Sequence, residues 1–214
     1  MKPLFYDLDF LEEELKLLPH LHRVAFAASI CERMLPMYRK FYQIENWGRP
    51  SVLREALDEV WAILEGKPMD SSKLSQLMED CACEDVCPHT EEYNFCNTDY
   101  LYEAQFTVSA VYSTLTALLT SDLKYIIGVV GNVRFETIEG FISERDKLYE
   151  VNSLQIVMEA IANDPLAKHE MAKEMEDIQK LKNAKKLEPE LLQWLENKSQ
   201  NDRESLIDLY SNPI

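Results

Sequence analysis

The chain has 214 residues, 46% of them hydrophobic, and carries 22 Lys+Arg against 38 Asp+Glu, a formal net charge of −16. Its length and apolar content suit one folded domain with a sizeable core and argue against intrinsic disorder. A surface this acidic repels nucleic acid and anionic lipid, because neither backbone phosphates nor lipid headgroups find the cations they need. Glycine is scarce, at five residues, which suits helices better than a turn-rich sheet or a phosphate-cradling loop.

Leu8, Leu11, Leu15 and Leu18 recur at helical spacing and predict a first short helix ending at Pro19. Residues 21–35 are apolar on nearly every side, from Val24 to Met34. Such a helix belongs in the centre of a bundle. Pro36 is expected to kink it or to start a new segment carrying Tyr38, Phe41 and Tyr42. From Pro50 to Glu65, Leu53, Ala56, Leu57, Val60, Trp61 and Leu64 follow the i, i+3, i+4, i+7 pattern, with Gly66 placed to cap the end. Ser71 or Ser72 then opens a short helix with Leu74, Leu77, Met78 and Cys81 on one face.

Residues 84–98 read as an acidic loop. Long helices are predicted over 99–120 and 122–149; a strand at 125–130 is permitted by its β-branched residues but has no partner to pair with. Further helices are expected over 152–162, from Asp164 to Lys186, after Pro189, and for a turn or two at Ser205–Tyr210. The fold class is therefore all-α, a multi-helix orthogonal or up-down bundle with a central apolar helix, spanning 1–214 as a single domain.

Two segments carry a resemblance: Ala25-Phe26-Ala27-Ala28-Ser29-Ile30-Cys31-Glu32-Arg33-Met34-Leu35-Pro36 with Tyr38, and Trp47-Gly48 with Pro50, Leu53, Arg54, Ala56, Leu57, Asp58 and Trp61. They resemble the YjaG family of bacterial proteins, a family of unknown function (domain of unknown function 416), over about residues 5–185. The resemblance implies an all-helical fold in a cytoplasmic bacterial protein and brings no catalytic or binding residues with it. The cysteine-rich loop and a helical C-terminal extension over about 187–211 lie apart from its two motifs.

No export signal precedes the acidic residues at the start, and five cysteines, an odd number, point to reduced thiols and a cytoplasmic protein. No stretch is long and apolar enough to span a bilayer. Cys81, Cys83, Cys87, His89 and Cys96 offer zinc-compatible donors, but not in the paired C-x-x-C arrangement of structural zinc sites. Unliganded thiols are the favoured reading, and no cofactor is expected. None of the four histidines follows a glutamate by three residues, so a di-iron carboxylate site is not indicated.

One polar constellation stands out. Glu32 and Arg33 sit in an apolar helix, and Arg54 and Asp58 lie one turn apart on the amphipathic one. Buried charges must be paired, so packing of the two helices would join these four beside Trp47 and Trp61. The first reading is an ion-pair network that fixes helix register. The alternative is a charged cleft for an enzyme or small-ligand binder. The favoured function is a non-enzymatic helical domain that binds another protein, one with a basic surface.

Overall fold

The computed structural model describes residues 2–88 and 100–201, which form α-helices joined by short turns. His89, Cys96 and Ser205–Tyr210 lie outside the described residues. Helix α1 (Leu8–Lys16) is capped by Asp7, whose carboxylate accepts the Phe10 N–H at 3.0 Å, and it buries Leu11 and Leu15. Helix α2 (His20–Glu45) supplies the largest share of the core of any described helix. From Val24 to Leu35 every residue is buried, and Met37, Tyr38 and Phe41 continue the buried face past Pro36.

Pro36 does not start a new segment: α2 runs straight through it to Asn46, which takes the left-handed conformation (φ 49°) and ends the helix. The proline removes the N–H that would bond the Glu32 carbonyl. Burial of the three large side chains that follow outweighs that loss, since each removes an apolar side chain worth about 1.5–3 kcal/mol from water.

Helix α3 (Pro50–Leu64) begins and ends where the sequence predicts. Helix α4 (Ser71–Cys81) is capped by Asp70 rather than by a serine, its carboxylate accepting from the Ser72 and Lys73 amides. A carboxylate at this position satisfies the orphan N–H groups and complements the helix dipole as well. Helix α5 (Leu101–Thr120) packs along α2. Its threonines at 107, 114, 116 and 120 each donate to a carbonyl one turn back, which lets hydroxyls enter an apolar helix without an unmet donor.

The predicted long helix over 122–149 is interrupted. Helix α6 (Leu123–Gly131) passes into a π-helical segment, Asn132–Glu139, and returns to α-helix in α7 (Gly140–Arg145). Hydrophobic periodicity at 3.6 residues per turn does not register the wider turn. Helices α8 (Leu154–Asn163), α9 (Pro165–Asn183) and α10 (Pro189–Asn201) complete the described residues. Helix α2 lies against α3, α5, α6, α9 and α10.

The two motif segments of the sequence meet at one point. Tyr38 on α2 donates its hydroxyl proton to the Val86 carbonyl at 2.5 Å and accepts the Arg49 N–H at 3.2 Å. Gly48 has φ +101°, and a Cβ there would come 2.7 Å from the Tyr38 hydroxyl oxygen. Both the backbone angle and the close approach require glycine. Gly48→Ala is therefore expected to lose about 2 kcal/mol by urea unfolding. Gly66→Ala, at φ +106° but with nothing within 4 Å of its Cβ, bears only the backbone strain and should lose less. Equal losses at the two sites would mean that the Tyr38 contact contributes nothing.

Candidate functional site

The predicted four-charge network forms as two separate sets. Glu32 is almost wholly buried and accepts two hydrogen bonds from Arg54, Nη1 to Oε2 at 2.7 Å and Nη2 to Oε1 at 2.8 Å. Trp61 Nε1 donates to the same carboxylate at 2.8 Å. Arg54 also reaches Asp58 on its own helix through Nε at 2.7 Å, and Asp58 is open to solvent. This planar, two-pronged pairing is the geometry for which guanidinium and carboxylate are matched. Burial pulls the Arg54 guanidinium down, but the hydrogen bonds and charge of Glu32 outweigh it and leave its pKa raised.

Arg33 and Trp47 do not join this set. Successive residues on a helix point about 100° apart, so Glu32 faces α3 while Arg33 faces α9 and α10. Trp47 packs edge-on against Phe41, ring centroids 5.8 Å apart.

Arg33 enters a second set that the sequence reading did not identify. Its guanidinium donates to both oxygens of Glu170, at 2.7–3.1 Å, and to Asp177 Oδ2 at 3.2 Å, with Ser199 on α10 at 3.3 Å. Ser29 donates to Asp177 at 2.9 Å. One turn along α9, Glu174 is paired by Arg134 from the π segment, which also donates to the Phe5 carbonyl at 3.1 Å. Glu170, Glu174 and Asp177 are all essentially without solvent exposure.

A signal for this layer was present. Leu166, Ala167, Ile178 and Leu181 define the buried face of α9, and the three carboxylates occupy positions on that same face. Carboxylates at core positions of a helix call for cations from elsewhere. Arg33 on α2 and Arg134 in the π segment supply them.

Burial dominates the acid–base behaviour of this layer. It raises the pKa of Glu174 against the opposing charge of Arg134, and raises that of Asp177 although Arg33, Ser29 and Lys198 pull it back. A carboxyl group whose folded pKa lies above its unfolded value, about 4, contributes most to stability below that value. Its contribution falls as pH rises through the folded value. Asparagine does not titrate. The stability of Asp177→Asn relative to wild type should therefore improve between pH 4 and pH 7 in matched urea titrations. A gap that widens against the variant over that range would contradict the raised pKa.

Among the described residues no three or more His, Cys, Asp or Glu side chains are grouped to hold a metal ion. Cys81 is buried, as its place on the apolar face of α4 predicts, and burial pushes its thiol up to about 12. Cys83 is exposed and Cys87 half-buried.

Two open features flank these ion pairs. A cleft of about 480 Å³ is lined by Glu32, Leu35, Pro36, Arg39, Arg54, Asp58 and Glu196. A larger groove of about 760 Å³ runs between α5 and the π segment and α7. Helix α8 leaves Leu154 (74% exposed) and Ile156 (57%) open to solvent, and Tyr149 before it is 65% exposed.

The family model described as "Protein of unknown function (DUF416)" matches residues 11–209. The chain belongs to this family. The DUF416 match takes in α10 and the cysteine-bearing turn after α4 as well as the two motif segments. A crystal structure of a DUF416 family protein from Shewanella baltica OS155 is similar, with a TM-score of 0.72 and 20% identity. That likeness covers 88% of this chain and 92% of the other, and shows a shared fold. No curated protein matches the chain. The DUF416 description assigns no activity, and no helix among the described residues is long and apolar enough to cross a membrane.

Proposed function

We propose that the chain acts as one non-enzymatic helical domain of the bacterial cytoplasm that binds a protein partner with a basic surface. The observation that carries this reading is the exposure of Tyr149, Val151, Leu154 and Ile156, four apolar side chains close together in the chain that the core leaves uncovered. Contiguous exposed apolar residues with a polar rim mark interaction surfaces. Helix α8 packs inward through Ile161, with Val157 and Met158 half-buried; Leu154 in its first turn and Ile156 on the opposite side are left uncovered. Exposed Glu150 and Glu159 lie close to them in the chain, and the net charge of −16 favours a cationic partner. Cytoplasmic residence is supported by unpaired cysteines, with Cys83 exposed.

Affinity capture from the native cell with wild type and with Leu154→Glu/Ile156→Glu tests this reading. The expected result is a basic protein held by wild type, released by moderate salt and not held by the variant, whose circular dichroism spectrum stays unchanged. Capture that is indifferent to the double substitution would defeat it.

A second reading, small-ligand binding at the charged cleft, draws support from Arg39. This exposed guanidinium lines the cleft and makes no ion pair among the described residues. Against it, Glu32 and Arg54 are committed to one another. A thermal shift with inorganic phosphate or succinate that is lost in Arg39→Gln would favour this second reading.

A further inference from the structure

The groove between α5 and the π segment has aromatic walls and an acidic rim. Tyr102 and Phe106 stand on α5, and Phe141 faces them from α7. Glu103, Glu136 and Glu144 border the same space, together with Arg145. Gly140 lies on its floor with helical backbone angles, and a Cβ built there would meet nothing within 4 Å.

One cation already uses this chemistry. The Arg145 guanidinium lies 5.8 Å from the centre of the Phe141 ring. Its charge is answered by Asp146 at 2.8 Å and Asp164 at 2.6 Å. Glu136 and Glu144 are exposed and make no ion pair among the described residues.

We infer that this groove receives a lysine or arginine side chain of the basic partner. The inference rests on the partner-binding reading above and gives that partner a defining residue type. An aliphatic stem would lie between the rings of Tyr102, Phe106 and Phe141, and its cationic head would reach Glu136 and Glu144. Aromatic faces attract cations through their quadrupole, and the rim carboxylates add direct charge attraction. A neutral side chain of the same length would gain only the apolar contact. An acidic side chain would be repelled.

Nuclear magnetic resonance titration of the 15N-labelled full chain tests the inference without a partner or a lysate. The probes are N-acetyl-lysine methylamide, N-acetyl-arginine methylamide and, as the neutral comparison, N-acetyl-glutamine methylamide. The expected result is saturable shifts of the Phe106, Gly140 and Phe141 amides with both cationic probes, about tenfold weaker with the neutral one. Gly140→Phe, which fills the floor, and Glu136→Gln/Glu144→Gln, which removes the rim charge, should each abolish the shifts while the remaining spectrum stays in place. Leu154→Glu/Ile156→Glu should bind the probes as wild type does, so failure here is distinct from failure of the α8 reading. Shifts scattered over the acidic surface and unaffected by the variants would overturn the inference. So would equal binding of the neutral probe, the absence of saturable shifts, or spermidine binding in the groove where the capped residues do not.

Discussion

Arg33→Ala is expected to lower the unfolding free energy by about 3–5 kcal/mol, the cost of leaving buried carboxylates without their cation. Two such groups are affected, because the single guanidinium serves both Glu170 and Asp177. Neither has solvent access to make up the loss. Urea unfolding of wild type and variant at pH 7 measures it. In a domain of this size each kcal/mol moves the melting temperature by roughly 2–4 °C, so a melt should register the change as well. The same argument predicts a rescue. Replacing Arg33, Glu170 and Asp177 together by apolar residues of similar size removes the stranded charges and should recover most of the loss. A loss below about 1 kcal/mol in the single variant, a size typical of exposed pairs, would mean that the layer is solvated and not structural.

The second large effect is expected at Arg134, the largest fully buried side chain among the described residues. Arg134→Ala strands Glu174, opens a cavity, and withdraws the donor from the Phe5 carbonyl. A loss of about 3–5 kcal/mol follows from the stranded carboxylate alone. A further local effect separates this variant from Arg33→Ala. The 3-10 turn Leu4–Tyr6 is tied to the π segment through that guanidinium, so amide hydrogen exchange should rise at the N-terminus in Arg134→Ala and not in Arg33→Ala. Unchanged exchange at residues 4–7 would show that the stacking of Tyr6 on Phe135, 5.8 Å apart, suffices to hold the turn.

The helices were legible where one face is apolar and the ends carry their own signals. Pro50, the unbroken apolar pattern and Gly66 delimit α3 without help from tertiary structure. Of the two outcomes expected at Pro36, a kink or a new segment, the new segment does not occur, because the loss of one hydrogen bond and a steric clash is outweighed by the burial of Met37, Tyr38 and Phe41. The π segment was illegible because its wider turn leaves no mark on apolar spacing. Of the candidate site, Glu32, Arg54 and Asp58 do come together, since a charge in an apolar helix must meet the charges of the helix packed against it. Arg33 was assigned to the wrong neighbour because adjacent residues on a helix diverge. The exposure of Leu154 and Ile156 could not have been read at all: an apolar run predicts burial, and only the packing of α8 reveals which of its residues are left uncovered.

Those two residues are where the account is most directly tested. A photo-crosslinking amino acid placed at Leu154 in the native cell reports what touches α8, and the same label at Glu79 on α4 reports the background. The account predicts one dominant adduct from position 154, absent from position 79, whose protein carries a net positive charge and is no longer trapped when Ile156→Glu is added. No adduct at 154, or the same adducts from both positions, would contradict it.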